Sequence, residues 1–184
     1  ILKHYEFCIC ACDKMEDDIK NSTINEVFDI YNKDDVLDSD ISYKQKKIIE
    51  SDFTKSCNIL ENYIHDLSKK YKLSLNKIFL LGFSQGSMMS LEVGTRLDQN
   101  LAGIISLSGR IFTENFNNNK RNKTPILIVH GEKDEIIKTH RFYETCKILE
   151  NLELNIESHL IKNLEHNINS EVISISENFI LLNQ

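Results

Sequence analysis

The chain contains short runs of apolar residues with few or no polar positions. The clearest are Ile78–Leu81, Leu101–Leu107 and Ile126–Val129. A run of this length is typical of a strand that is buried on both faces, as in a parallel sheet covered by helices. Two further strands are predicted, one within Glu6–Cys12 and one at Leu154–Ile161.

Helical periodicity separates these runs. Between Tyr43 and Tyr71, apolar residues recur at steps of three or four, which predicts a long amphipathic helix. The residues of its apolar face are Ile49, Phe53, Cys57, Leu60, Ile64 and Leu67. Further helices are predicted at Ser87–Leu97, at Thr139–Leu152 and from Val172 onward. The alternation predicts a single α/β domain over residues 1–184, with a mostly parallel sheet and helices on both faces.

Two segments lack such patterns. Asp13–Ser42 is polar and acidic without a clear period, apart from an apolar island at Val27–Ile30. Glu114–Lys123 is rich in asparagine and basic residues, which predicts an exposed loop. No linker divides the chain.

The most informative stretch is Ile78–Ser87, which reads I-F-L-L-G-F-S-Q-G-S. A predicted strand, a G-x-S-x-G turn and a predicted helix follow one another, as a nucleophile elbow requires. The turn is so tight that side chains at Gly82 and Gly86 would collide with it. The pattern therefore predicts Ser84 as a nucleophile at the N-terminus of the helix, although G-x-S-x-G also occurs by chance in glycine-rich turns.

A serine nucleophile needs a base, and the base needs a carboxylate to orient it. On an elbow fold these partners follow in the order serine, acid, histidine. Asp134 lies just after the strand Ile126–Val129, and His166 lies between the last strand and the last helix. Because loops at the carboxyl ends of parallel strands meet at one sheet edge, we expect Ser84, Asp134 and His166 to lie together.

Alternatives exist for both partners. Glu132 and Glu135 flank Asp134 and could serve as the acid. Of the six histidines, three precede the acid, one follows it too closely at a predicted helix start, and one lies inside a predicted strand. These are, in that order, His4, His65 and His130, then His140, then His159. His166 remains as the predicted base.

Four ordered motifs are similar to those of the phospholipase/carboxylesterase family of α/β-hydrolases, which includes acyl-protein thioesterases and small bacterial carboxylesterases. They are G-F-S-Q-G-S at 82–87, L-S-G at 107–109, H-G-E-K-D-E-I-I at 130–137 and L-E-H-N-I-N-S-E at 164–171. Phe28-Asp29 also resembles the family's W-F-D stretch. The resemblance implies Ser84 as nucleophile, His166 as base, Asp134 as its orienter and the backbone N–H of Gln85 as one oxyanion donor. It implies no metal and no organic cofactor.

The sequence departs from the family in two places. The family's P-x-A-P-like segment appears as C-A-C-D at Cys10–Asp13, without prolines. The family's H-G-x-G loop would lie upstream of Ile1, so we expect an N-terminally incomplete fold that lacks at least one βα unit of about 30 residues. In the family fold the missing strand lies between the Glu6–Cys12 strand and the elbow strand. We therefore expect unpaired backbone groups on both neighbours and poor activity.

Composition narrows the class of partner. A net charge of −6 and a pI near 5.5 argue against nucleic acid. No run approaches the roughly 18 apolar residues of a membrane span, so stable membrane insertion is not expected. Cysteines at 8, 10 and 12 form C-x-C-x-C, but no second cluster at zinc spacing accompanies them. We expect small apolar side chains on one strand face and a reduced, cytoplasmic protein.

The leading hypothesis is a serine hydrolase that cleaves acyl esters or thioesters, with a small molecule or a lipid as substrate. Phe83, Met88 and Phe112 are predicted to line an acyl pocket, together with Met89 and Phe116, although core packing would also explain each. The alternative is a catalytically impaired remnant of the fold that binds a ligand or partner. The sequence leaves open the acyl chain length, the leaving group and whether the chain forms a homodimer.

Overall fold

A computed structural model describes residues 8–10, 43–112, 116 and 120–184 of the protein. Its strands form one five-stranded parallel sheet in which chain order and spatial order coincide. The strands are β1 Cys8–Cys10, β2 Phe79–Phe83, β3 Gly103–Leu107, β4 Ile126–Gly131 and β5 Ile156–Ile161. The predicted parallel α/β sheet is confirmed.

The helices cover both faces of this sheet. They are α1 Tyr43–Tyr71, α2 Gln85–Arg96, α3 Thr139–Asn151 and α4 Ser170–Leu182, with a 3₁₀ turn at Leu75–Lys77. Alternate strand residues belong to two separate apolar clusters: Leu80 and Ile104 pack with α1, α2 and α3, whereas Phe79 and Ile105 pack with α4. Within the described ranges, none of the helices is both long and apolar enough to cross a membrane.

The long helix α1 forms as its periodicity predicted. Its apolar face is buried, with Phe53, Cys57 and Ile64 at most 2% exposed. Between these positions the helix carries charged side chains that face solvent, such as Lys55. Burial of one face against α2, rather than helix propensity, therefore accounts for most of its stability.

The amino-terminal expectations need one correction. β1 pairs directly with β2, with Cys8 opposite Phe79 and Cys10 opposite Leu81. The prediction that the elbow strand and the Cys8 strand would present unpaired facing edges is therefore wrong, because the two edges satisfy each other. Cys12, the cysteine side chains of β1 and the Phe28-Asp29 pair lie outside what the structure describes. The additional upstream βα unit stays a prediction.

The segment predicted as an exposed loop also differs from expectation. Of its described residues, Phe116 and Arg121 are buried, at 2% and 7% exposure. The guanidinium of Arg121 pairs with Glu92 of α2 at 3.2 Å, donates to the Thr95 hydroxyl and lies 3.7 Å from the Phe116 ring centroid. A buried arginine needs such partners, and they tie this end of the segment to α2.

Candidate active site

The turn between β2 and α2 has the geometry of a nucleophile elbow. Ser84 stands between the last residue of β2 and the first of α2, with φ 53° and ψ −117°. A positive φ is uncommon for a residue other than glycine, and such strain is concentrated at functional sites. A Cβ on Gly82 would lie 2.1 Å from the carbonyl oxygen of Gly86. Glycine at position 82 is therefore required by close approach of the backbone.

Hydrogen bonds to β3 fix this elbow. The Ser84 N–H donates to the Leu107 carbonyl at 2.9 Å, and the buried hydroxyls of Ser87 and Ser106 are 2.5 Å apart. Ser84 itself is half-buried, so solvent and substrate can reach it. Gln85 is the first residue of α2, and its N–H therefore has no acceptor within the helix. An N–H in this position can bind an anionic oxygen.

Asp134 lies in the loop after β4 and is 4% exposed. One carboxylate oxygen, Oδ1, accepts the N–H groups of Ile136 at 3.0 Å and Ile137 at 2.8 Å. The other, Oδ2, accepts from Nδ1 of His166 at 2.7 Å. Burial alone would raise the pKa of Asp134, but the hydrogen bonds from His166 and Ile137 outweigh it and hold the pKa below its usual value. Asp134 is therefore an anion at neutral pH.

His166 lies between β5 and α4, where its side chain is 16% exposed. Because Nδ1 donates its hydrogen bond to Asp134, the neutral imidazole keeps a free lone pair on Nε2. The His166 ring centroid lies 4.8 Å from that of Phe83, the residue that precedes Ser84. The acid–base pair is thus packed against the elbow strand.

The structure brings two of the three predicted catalytic side chains into direct contact. Asp134 and His166 are hydrogen-bonded, and both lie at the carboxyl edge of the sheet with Ser84. Within the described residues, the Ser84 hydroxyl forms no hydrogen bond to His166. In enzymes without bound substrate this bond is often long and tightens only when substrate binds.

The acid loop and the histidine loop are joined by backbone contacts that the sequence did not reveal. A Cβ on Gly131 would lie 2.4 Å from the Leu164 carbonyl oxygen, so glycine is needed where the loops meet. The Lys133 N–H donates to that carbonyl at 2.8 Å, and the Glu132 carboxylate accepts from the Asn163 N–H at 3.0 Å. Glu132, considered above as an alternative acid, therefore links the two loops. The only sequence feature that could have indicated this linking role is the position of Glu132 within H-G-E-K-D.

The other candidates lie elsewhere. Glu135 is exposed, and His159 is bonded to exposed Glu157 on β5. His140 is exposed at the start of α3. His130 is buried beside the acid loop, with Nε2 2.6 Å from the Ile137 carbonyl oxygen. Sequence analysis excluded it as the base but did not anticipate this contact.

The predicted acyl pocket is largely core. Met88 is 1% exposed and Phe112 is 8% exposed, and both belong to the apolar cluster between the sheet and α1–α3. Phe112 packs against Phe53 with ring centroids 4.4 Å apart. Met89 and Phe116 are likewise 2% exposed. Of the predicted lining residues, only Phe83 contacts the site, since large apolar side chains on α2 and after β3 are used to fill the core.

A cleft of about 730 Å³ opens beside His166, between the acid loop and the histidine loop. Its lining includes Glu135, Lys138 and His140 from one side and Glu165 and Asn167 from the other. These charged and polar side chains suit a polar portion of a substrate better than an acyl chain. Among the described residues, no group of three or more His, Cys, Asp or Glu side chains could hold a metal ion.

Comparisons with known proteins agree with this geometry. Residues 34–184 match the phospholipase/carboxylesterase family. Acyl-protein thioesterase 1 of Candida albicans is 33% identical over 107 residues, which are 54% of this chain and 46% of that relative. Acyl-protein thioesterase 1 of Debaryomyces hansenii is 30% identical over 112 residues, which are 58% of this chain and 48% of that relative. The chain thus spans about half the length of the curated relatives it matches.

Solved structures share the fold. The crystal structure of esterase PE8 superimposes with a TM-score of 0.69 and 26% sequence identity. The superposition covers 72% of this chain and 62% of that chain.

Proposed function

Because the chain belongs to the phospholipase/carboxylesterase family, we propose that it is a serine hydrolase of carboxylic esters or thioesters. The observation that carries this proposal is the 2.7 Å hydrogen bond between His166 and buried Asp134, next to the strained elbow of Ser84. Nucleophilic catalysis by serine needs these three functions, and no other set in the described residues combines them.

In the proposed mechanism, His166 Nε2 takes the proton of the Ser84 hydroxyl as the oxygen attacks the acyl carbonyl. The Gln85 N–H stabilises the oxyanion of the tetrahedral intermediate. His166 then returns the proton to the departing alcohol or thiol, which leaves an acyl ester on Ser84. A water molecule, deprotonated by His166, hydrolyses that ester and releases the carboxylic acid.

Asp134 remains an anion throughout. Its carboxylate keeps the proton of neutral His166 on Nδ1 and stabilises the positive charge that His166 gains in each transition state. No metal or organic cofactor takes part in the proposed cycle. A thioester substrate is supported by the acyl-protein thioesterase relatives, and a carboxylic ester by esterase PE8.

The experiment is covalent labelling with a fluorophosphonate probe, followed by peptide mass spectrometry. We expect the probe to modify Ser84 alone. Ser84→Ala should abolish labelling, whereas Ser174→Ala, which changes an exposed serine on α4, should leave it intact. Labelling that survives Ser84→Ala would overturn the proposal. If the folded protein is not labelled at all, the result would favour the alternative of a binding protein without catalytic activity.

We further propose that the protein works in a reducing, cytoplasmic compartment. Of its cysteines, the two whose side chains are described, Cys57 and Cys146, are free thiols. Burial raises the pKa of Cys57 to about 12, so this thiol is unreactive. Thiol titration of the native protein against the denatured protein tests this, because buried reduced cysteines react only after unfolding.

A further inference from the structure

His130 is the buried neighbour of the catalytic acid. It is the penultimate residue of β4, and its side chain is inaccessible to solvent. Nε2 of His130 lies 2.6 Å from the carbonyl oxygen of Ile137. Because a carbonyl oxygen can only accept, Nε2 must carry the proton and donate it.

The same residues also contact the carboxylate of Asp134. Nε2 of His130 lies 3.5 Å from Oδ2 of Asp134, and the N–H of Ile137 donates to Oδ1 at 2.8 Å. His130 therefore holds Ile137 at its carbonyl, while Ile137 holds Asp134 at its N–H. Both histidines contact Oδ2 of Asp134, since Nδ1 of His166 also donates to it at 2.7 Å.

The remaining nitrogen of His130 fixes its protonation state. Nδ1 is buried and has no hydrogen-bond partner among the described residues. A proton there would bury an N–H without an acceptor, which is costly. Burial correspondingly lowers the pKa of His130, against the opposing effects of the Ile137 carbonyl and the Asp134 carboxylate. His130 is thus a neutral hydrogen-bond donor at neutral pH.

We propose that His130 is a positioning residue, which acts through Ile137 and Asp134 to hold the acid in register with His166. The proposal rests on the proposed hydrolase function, because it assigns a role within that site. The aromatic ring of Phe142 on α3 packs against His130, with ring centroids 5.8 Å apart. From the sequence alone, His130 was excluded as the base because it precedes the acid, and no positioning role was predicted for it.

Two substitutions separate positioning from packing. His130→Gln keeps an N–H donor near the position of Nε2, whereas His130→Leu fills similar space without a donor. With Leu we expect kcat to fall on the order of 10- to 100-fold, by analogy with the loss of the hydrogen-bond partners behind metal-bound histidines. KM should change little, because His130 does not reach the substrate cleft. Gln should recover most of the lost kcat.

The pH profile supplies a readout that packing would not move. In His130→Leu the loosely held Asp134 stabilises the imidazolium of His166 less. The acid-side midpoint of kcat/KM should therefore move to lower pH, and Gln should return it towards the wild-type position. Asp134 and His166 share their cleft with other titratable side chains, which are the same in all variants. These are Glu132, Lys133, Glu135, Lys138, His140 and Glu165.

A spectroscopic measurement makes failure of this proposal distinguishable from failure of the hydrolase proposal. Proton NMR of the full chain should show a downfield resonance for the His166 Nδ1–H that is bonded to Asp134. We expect it to persist in His130→Gln and to weaken or shift upfield in His130→Leu. If the resonance, kcat and pH midpoint of His130→Leu all equal those of wild type, the positioning role is overturned, even if the melting temperature has fallen. If the resonance behaves as expected but Ser84 is not labelled by the probe, the hydrolase proposal fails instead.

Discussion

Among the described residues, the buried carboxylates of Asp134 and Glu92 are each paired with a basic side chain, but the two pairs differ in the proton transfers they allow. Asp134 is 4% exposed and binds His166, while Glu92 is 8% exposed and binds Arg121. Arginine is always protonated, so the Glu92–Arg121 pair cannot exchange a proton. An imidazole, by contrast, can both take up and release a proton, and His166 uses only Nδ1 to bind Asp134.

The two pairs also differ in how many contacts hold the basic side chain in place. Arg121 donates to Glu92, to the Thr95 hydroxyl and to the Phe116 carbonyl, and it stacks on the Phe116 ring. It joins α2 to the segment before β4. His166 has one anchor in Asp134 and one packing contact with Phe83, and it borders an open cleft. Burial and pairing therefore do not distinguish the proposed catalytic acid from Glu92, whereas the second ring nitrogen of His166 does.

The largest expected effect separates His166 from His159, a histidine on β5 that is also hydrogen-bonded to a carboxylate. His166→Ala should lower kcat about 10⁶-fold, as loss of a base from a serine–histidine pair commonly does. His159→Ala should retain most activity, although His159 also bonds a carboxylate, Glu157, at 2.7 Å. Hydrolysis of a model thioester measures both. Loss of activity in His159→Ala with retention in His166→Ala would transfer the base role to β5.

The next effect tests Asp134 against Glu135, the other candidate for the acid. Asp134→Asn should lower kcat about 10⁴-fold, because the amide no longer favours the required tautomer of His166. Glu135→Gln, at the other candidate acid, should retain most of kcat, because Glu135 is exposed and Nδ1 of His166 is bonded to Asp134. Initial rates under saturating substrate provide the measurement. An equal loss in both variants would mean that the acid has been misassigned.

The Glu92–Arg121 pair should affect stability instead. Arg121→Met leaves Glu92 buried without its cation, which typically costs about 3–5 kcal/mol. The double variant Arg121→Met/Glu92→Met removes both charges and should recover much of this loss. Urea unfolding gives the free energies. If the single and double variants unfold at the same urea concentration, the two charges are not energetically coupled.

The smallest effect is the pH dependence of stability near the site. Because the pKa of His130 is lowered in the folded protein, the unfolded chain binds more protons below the ordinary histidine value of about 6.5. The free energy of unfolding should fall as pH drops through that value towards the folded pKa. His130→Gln should reduce this slope. Asp134 has a lowered pKa as an acid, so its contribution is present above about pH 4 and is lost only as pH falls further.

Urea unfolding of wild type and His130→Gln at several pH values measures the slope. Asp134→Asn serves as the control, because it should flatten only the region below about pH 4. If the His130→Gln protein keeps the wild-type slope between about pH 5 and 7, His130 is not the group that titrates in this range.

Much of this protein is determined by local sequence. The alternation of apolar runs with helical periodicity predicted the parallel sheet and helices α1 to α4, because the buried strands β2, β3 and β4 consist mostly of apolar residues. The elbow of Ser84 was predicted because Gly82 and Gly86 are demanded by a turn within five residues. Chain order then selected Asp134 and His166, since loops at the carboxyl ends of parallel strands share one edge.

Contacts between distant segments were decided only by the tertiary structure. Arg121 reads as part of a basic loop, and it is buried because Glu92 and Thr95 of α2 offer it acceptors 26 to 29 residues away in sequence. Met88 and Phe112 read as candidates for an acyl pocket, and they are core because α1 packs over them. His130 gained its place beside Asp134 from the fold of the loop after β4. Each of these contacts depends on which surfaces pack together in the folded protein. The pattern of residue types along the chain does not specify that packing.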